Sequence, residues 1–289
     1  MNENKNKTIG IIGLGMVGKN VFRWFTQNKY EVYGFSLDHI EDYEKAFSAD
    51  VIFICVPTPF NWKTNKFDLS IVEENLKRIY PGRTVVIKST MKIGSTEKLQ
   101  SSFPELKLLF NPEFLSEVTC WEDFINPDRQ FIGYTKKSYN VAIEVLNMLP
   151  ESAYELICPS KEAELLKYIN NMHGVLEIME SNHYYDICEK EGLDYERVIK
   201  AASASKWIGV PMGRHYRVIY HKGKRGIGGK CFVKDLSAFI EYCHENDIRC
   251  DLFEASDTFN RKILADQGIT PEIAEQISTE EDAKRLIKK

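Results

Sequence analysis

The chain has 289 residues, 43% of them hydrophobic, and a net charge of −4. That is enough apolar material for one large or two ordinary domains, and the charge argues against a dedicated nucleic-acid binder. Seven cysteines, at 55, 120, 158, 188, 231, 243 and 250, form no Cys-x-x-Cys pair. No metal is therefore expected, and the odd, scattered set reads as the reduced thiols of a cytoplasmic protein. Residues 1–7 are polar with no apolar run of signal-peptide form behind them. Nothing approaches the roughly 18–20 apolar residues of a membrane helix, so no membrane association is expected.

Taken in chain order, residues 8–13, 31–35, 51–56, 84–88, 107–110 and 130–133 are predicted strands. The first, third and fourth are almost wholly apolar, as strands buried on both faces of a parallel sheet are. Helical patterns fill most of the gaps, for example 18–27 and 69–79. This alternation predicts an α/β fold, a Rossmann-type doubly wound parallel sheet over residues 1–155 that binds NAD.

Residues 156–289 change character and predict an all-helical catalytic and dimerisation domain. A long central helix runs from Pro159-Ser160 to about Lys190, with apolar residues at 165, 168, 169, 172, 175, 176, 179 and 187. Such a helix spans roughly 45 Å, so its stripe is also expected to serve a homodimer interface. Further helices are predicted near 195–203, 234–245 and 251–265. The tail 279–289, with acids early and lysines late, suits a terminal helix and its dipole.

Two segments carry chemistry. Gly13-Leu14-Gly15-Met16-Val17-Gly18 follows an apolar strand and opens a helix. Gly13 permits the tight turn, Gly15 lets a pyrophosphate approach the backbone and Gly18 allows close helix packing, so Gly13, Gly15, Met16, Val17 and Gly18 are expected to hold a dinucleotide. The second strand of such a domain ends in an acid that bonds the ribose. Here Ser36 occupies that place and Asp38 follows two residues later. Asp38 either reaches the ribose or is a solvated loop acid. NAD is the predicted cofactor, although the serine weakens discrimination against NADP by removing like-charge repulsion.

The second segment is Gly226-Ile227-Gly228-Gly229-Lys230-Cys231-Phe232-Val233-Lys234-Asp235. A helix start with lysines nearby lowers a thiol pKa and favours the nucleophilic thiolate. Gly228 and Gly229 are expected to leave room for a sugar beside the sulfur. Lys167 and Asn171, four residues apart, share a helix face off the apolar stripe and make a donor pair suited to an oxyanion.

Together these motifs resemble the UDP-glucose/GDP-mannose dehydrogenase family, across residues 8–260. The resemblance is carried by the glycine loop; Val56-Pro57-Thr58-Pro59; Asp68-Leu69-Ser70; Lys88-Ser89-Thr90 with Gly94-Ser95-Thr96; and Asn111-Pro112-Glu113-Phe114-Leu115-Ser116-Glu117. It continues through Pro127-Asp128-Arg129 and Ile132-Gly133, Ala163-Glu164-Leu165-Leu166-Lys167-Tyr168 with Asn171, and the cysteine segment. The family oxidises the primary alcohol of a nucleotide sugar to a carboxylate with two NAD+. The resemblance implies that Cys231 traps the aldehyde as a thiohemiacetal, later a thioester. It implies that Lys167 and Asn171 stabilise oxyanions, that Asp235 and Thr90 position water and the proton network, and that Glu117 is the acid/base of hydrolysis. Glu113, Phe114 and Leu115 line the same substrate pocket. Val56, Pro57, Thr58 and Thr90 lie at the cofactor. UDP-glucose giving UDP-glucuronate is the first expectation.

The sequence also departs from the family. Members continue into another Rossmann-like domain that holds the donor's nucleotide, whereas little follows Asn260 here. A separate nucleotide-binding chain is one expected remedy. The other is the stretch 206–230, with seven Lys/Arg and no acid. Arg214, Arg217 and Arg225 within it are expected to grip the donor's anion. Ser116 replaces a usual arginine, and Ser181-Asn182-His183 replaces a usual Asn-Glu pairing. Two other classes stay open: a two-electron hydroxyacid dehydrogenase, which shares the Lys-x-x-x-Asn pattern but needs no cysteine, and a non-catalytic binding subunit.

Overall fold

The computed structural model describes residues 6–205 and 217–287, the Lys230 side chain excepted. Lys206 and Arg214 lie outside the described residues. In chain order the elements are β1 (Thr8–Ile12), α1 (Met16–Gln27), β2 (Glu31–Phe35), α2 (Tyr43–Ser48), β3 (Val51–Ile54), β4 (Phe60–Asn61), β5 (Lys66–Phe67), α3 (Ser70–Leu76), β6 (Thr84–Ile87), α4 (Ser95–Ser102), β7 (Lys107–Phe110), α5 (Cys120–Ile125), β8 (Gln130–Tyr134), α6 (Tyr139–Leu146) and β9 (Glu155–Pro159). Helices follow: α7 (Ser160–Glu191), α8 (Tyr195–Ala202), α9 (Gly229–Glu245), α10 (Asp251–Ala265), α11 (Pro271–Gln276) and α12 (Glu280–Ile287). The chain divides into one compact unit of Met1–Pro59 with Phe67–Lys167 and a second of Phe60–Lys66 with Tyr168–Lys289.

The first unit is built on a seven-stranded sheet in the order β2-β1-β3-β6-β7-β8-β9. All neighbours are parallel except β7 and β8. Residues along each strand alternate between the two faces. Val51 and Phe53 of β3 join Ile9, Ile11, Val86 and Leu109 on one side, while Ile52 and Ile54 join Ile12, Val85 and Ile87 on the other. Both faces are therefore dry, which is why these strands read as unbroken apolar runs. β9 escapes that signal: it is an edge strand ending in Pro159, a residue with no N–H to donate, tolerated because nothing pairs beyond it.

The strand order reverses at β1, with β2 on one side and β3 on the other. The carboxyl ends of β1 and β3 are thus the switch point at which doubly wound sheets receive ligands. The loops 13–15 and 55–59 leave from there.

Among the described residues, the regular structure of the second unit is helical apart from the β4–β5 hairpin. Its core joins Met172, Val175 and Met179 of α7 with Val233 and Leu236 of α9, Leu264 of α10, and Ala274, Ile277 and Ala283 of the tail. The predicted stripe of α7 splits in two. Residues 168, 172, 175 and 179 are buried, whereas Leu165, Ile169 and Ile187 are exposed, as is Tyr184 outside the stripe. Lys167 and Asn171, expected off the stripe, are both buried too. α9 begins five residues earlier than the pattern suggests, so Cys231 and Lys234 fall inside its first two turns. Among the described residues no helix is long and apolar enough to cross a membrane.

Candidate active site

The glycine loop has the geometry a dinucleotide needs. Gly13 holds φ +93°, and a Cβ there would stand 2.7 Å from the Cys55 carbonyl oxygen. A Cβ on Gly18 would collide with the carbonyl oxygen of Gly13, so its absence lets α1 pack onto the strand end. Gly15 is the N-cap of α1 and meets nothing within 4 Å. Its open face, with no acid in the first turn of α1, suits a pyrophosphate on the helix N-terminus. Met16, exposed, and Val17, half-buried, begin that helix. At the end of β2, Ser36 and His39 exchange backbone hydrogen bonds of 2.9 and 3.0 Å. This reverse turn leaves Ser36 half-buried beside the strand end and Asp38 exposed at its tip.

The loops after β3, β6 and β7 are laced together by their own motifs. The Ser89 hydroxyl donates to the Val56 carbonyl at 2.6 Å, and the Thr58 hydroxyl to the Thr90 carbonyl at 2.8 Å. Pro57 lies between the two anchored residues. Lys88 is fully buried and donates to Asn111 Oδ1 at 2.5 Å. Burial lowers its pKa to about 8. Asn111 in turn donates to Gln130 and to the Phe131 carbonyl. Half-buried Cys55 is pushed up to about 12 by desolvation and is chemically inert at neutral pH.

Lys167 is 5% exposed, and its amine donates to the carbonyl of Glu113 at 2.7 Å and to Oε1 at 2.8 Å. The other carboxylate oxygen accepts from the Leu115 N–H at 2.8 Å. Burial alone would raise Glu113, but the Lys167 charge and these hydrogen bonds hold it below the usual glutamate range. Phe114 lies under the same amine, 5.7 Å from its ring centroid. Glu117, expected as the acid/base, is exposed, so the carboxylate held against Lys167 is Glu113.

In the second unit Cys231 stands third in α9, whose N-cap is Gly228. Asp235, one turn on, is 1% exposed. Its Oδ2 accepts from Asn171 Nδ2 at 2.6 Å and its Oδ1 from Lys234 Nζ at 2.6 Å. Gly229, with φ +72° and open space where a Cβ would be, fits the expected clearance. Gly228 does not: a Cβ there would fall on the end of the Lys224 side chain, so the room it leaves is already filled by that lysine.

Arg217 and Arg225, expected to grip the donor's anion, have partners within the chain. Arg225 pairs with Asp186, donates to Asn182 Oδ1 at 3.3 Å and stacks 4.7 Å over Tyr185. Arg217 donates to Ser203 at 2.7 Å and stands 3.8 Å from Glu177. Both guanidiniums are held by α7 or its neighbour, because acids of α7, distant in sequence, face the loop.

Three groups emerge only in three dimensions. Glu164 caps α4 by accepting from Gly94 N, Thr96 N and Thr96 Oγ1 at 2.5 to 2.8 Å. Trp62 of the hairpin donates to Glu275 of α11 at 2.7 Å. Lys224 lies buried beneath the N-cap of α9. Their partners lie too far along the chain for spacing to reveal them, though Glu164 stands within a motif already noted.

The model of the UDP-glucose/GDP-mannose dehydrogenase family NAD binding domain matches residues 34–149, and that of its central domain matches residues 161–262. A UDP-glucose 6-dehydrogenase of Rhizobium meliloti is 31% identical over 255 residues, covering 80% of this chain and 56% of that protein. A UDP-glucose dehydrogenase structure from Pyrobaculum islandicum superposes with a TM-score of 0.77 at 26% identity, covering 91% of this chain and 70% of that one. A 3-hydroxyisobutyrate dehydrogenase of Mycobacterium tuberculosis, at 16% identity and TM-score 0.68, covers 90% of this chain and 94% of its own and shares the fold. The chain spans about half the length of the curated relatives it matches. With a dinucleotide loop at the switch point of its sheet and both domain models matched in order, the chain belongs to the UDP-glucose/GDP-mannose dehydrogenase family and carries that family's NAD-binding and central domains.

Proposed function

We propose that the chain oxidises the primary alcohol of a nucleotide sugar to a carboxylate, with UDP-glucose giving UDP-glucuronate as the first donor to test. The observation that carries this reading is Cys231 in the first turn of α9, one turn ahead of an Asp235 whose oxygens are taken by Asn171 and Lys234. A sulfur at a helix N-terminus is biased towards thiolate. A two-electron dehydrogenase has no use for it.

Bound NAD+ supplies the acceptor for both hydrides. In the first oxidation the alcohol loses a hydride and a proton and becomes an aldehyde. The Cys231 sulfur then adds to the carbonyl carbon, and the oxygen takes a proton to give a thiohemiacetal. Loss of the second hydride, with the hydroxyl proton, leaves a thioester. Water adds, the C–S bond breaks, and a carboxylate and the thiol remain. One alcohol and one water thus give one carboxylate, two reduced nicotinamides and three protons. Lys167 and Asn171 donate to the oxygen that becomes negative, and Asp235 and Thr90 orient the water. Glu113, paired with Lys167, takes over the acid/base role expected of Glu117.

The exposed apolar side chains of α7 support a homodimer built on that helix. The donor's nucleotide is gripped by a further domain or chain, in keeping with the half-length match. The test counts NADH formed per donor consumed across a panel of UDP- and GDP-sugars. Two per donor, with all acid formation lost in Cys231→Ser, is the expected result; one per donor, unchanged by that substitution, would mean a hydroxyacid-type dehydrogenase.

A further inference from the structure

We propose that Lys224 is a positioning residue for Cys231, its ammonium standing beneath the N-cap of α9 as the counter-charge of the thiolate. This rests on the reading of Cys231 as the nucleophile. His221 and Lys224 exchange backbone hydrogen bonds across Lys222 (φ +52°) and Gly223 (φ +79°), and this tight turn fixes the start of the Lys224 side chain. The chain then doubles back through Gly226 (φ +78°), and Gly228 leaves the space that the end of the lysine fills.

The result is a cation only 3% exposed. Its amine donates to the Gly226 carbonyl at 3.1 Å, and among the described residues no carboxylate comes within ion-pair distance. A buried ammonium without a counter-ion is costly and persists where an anion is supplied in use. The charged groups around this end of α9 are accounted for. Asp235 is shared by Asn171 and Lys234, and Glu275 accepts from Trp62. Lys222 adds a like charge that, after burial, lowers the Lys224 pKa to about 8. The group in the first turn that can become an anion is Cys231. Its Cα is about 5 Å along the helix from that of Gly228. Ammonium and helix N-terminus then act on the sulfur in the same direction. No bond is exchanged: the thiol gives its proton to water, and the lysine keeps its own.

The test is the pH dependence of Cys231 alkylation by iodoacetamide, followed by mass spectrometry of its peptide in the full chain. Alkylation needs no turnover, so the result is independent of whether the sugar chemistry is correctly assigned. In the unaltered protein Cys231 should ionise at least about one pH unit below the ordinary cysteine value of about 8.5. Lys224→Met should raise its midpoint by about one unit, slowing alkylation at pH 7 about tenfold. An unaltered protein whose Cys231 titrates at or above the ordinary value overturns the proposal, whether or not Lys224→Met folds. So does a folded Lys224→Met with an unchanged midpoint.

Discussion

Asn171 and Asp235 are joined by a 2.6 Å amide-to-carboxylate hydrogen bond between α7 and α9, with Lys234 on the other oxygen at 2.6 Å. The arrangement requires an ionised aspartate and an amide, in that order. Asp235→Asn removes the charge that faces Lys234 and offers Asn171 a group that can be only half satisfied. The expected cost is about 2–3 kcal/mol in urea unfolding. Turnover should fall by about a hundredfold or more, because the residue also orients water. Asn171→Asp puts two carboxylates against each other and should be worse on both measures.

The glycine loop separates fold from binding. Gly18→Ala drives a methyl into the Gly13 carbonyl oxygen and should destabilise the first unit as well as abolish NAD binding. Gly15→Ala meets no protein atom within 4 Å. It should change the melting temperature little yet weaken NAD binding in titration calorimetry, since the methyl occupies the face a pyrophosphate approaches. Equal NAD affinity in Gly15→Ala would remove the dinucleotide from this loop.

Lys167 and Glu113 form a buried pair, and removing Lys167 leaves the Glu113 carboxylate buried without that ammonium. Lys167→Met should cost about 3–5 kcal/mol, and adding Glu113→Gln should restore part of that loss. Glu113 is held below its usual range. Its contribution is therefore present above the unfolded-state value and lost as pH falls through the lower folded value. Acid unfolding of Glu113→Gln should begin from a less stable protein and show a shallower loss in that acidic window.

The outer face of α7 gives a test of assembly. Ile169, Tyr184 and Ile187 are exposed on the same helical face. Ile187→Glu, a charge placed in an apolar interface, should shift sedimentation from dimer towards monomer while leaving the melting temperature of dilute protein within a few degrees. A protein that sediments as a monomer before any substitution would exclude the homodimer.

Much of this architecture is legible along the chain because it is local. β3 and β6 announce themselves as Val51–Ile54 and Thr84–Ile87, apolar on both faces, and the glycine loop carries its own spacing. What was misread depended on pairing across distance. The start of α9 hid behind two glycines that weaken any helix pattern, so the pattern shows a helix only from 234, with Cys231 near its start, whereas the helix begins at Gly229. Gly228 looked like clearance for a sugar because nothing in the spacing shows that a turn with two positive φ values folds Lys224 back into it. The pairing of Glu113 with Lys167 is invisible to spacing, because the two stand 54 positions apart. The partners of Arg217 and Arg225 are hidden in the sequence for the same reason: Glu177 and Asp186 face them from α7.

Glu164 provides a pH dependence of opposite sign to that of Glu113. Its carboxylate is buried, and desolvation outweighs the three hydrogen bonds it accepts at the start of α4, raising its pKa from 4.5 to about 7. Between those values the folded protein holds a proton that the unfolded chain has released. Stability from this group is therefore full below pH 4.5 and declines as pH rises to about 7. Glu164→Gln removes the titrating group while keeping one acceptor for Thr96. Its amide cannot accept from the Gly94 N–H, so this variant should be less stable at pH 5, with a flatter profile of urea midpoint between pH 5 and 7. A variant whose midpoint falls across that range as steeply as the unaltered protein's would assign the slope to another group.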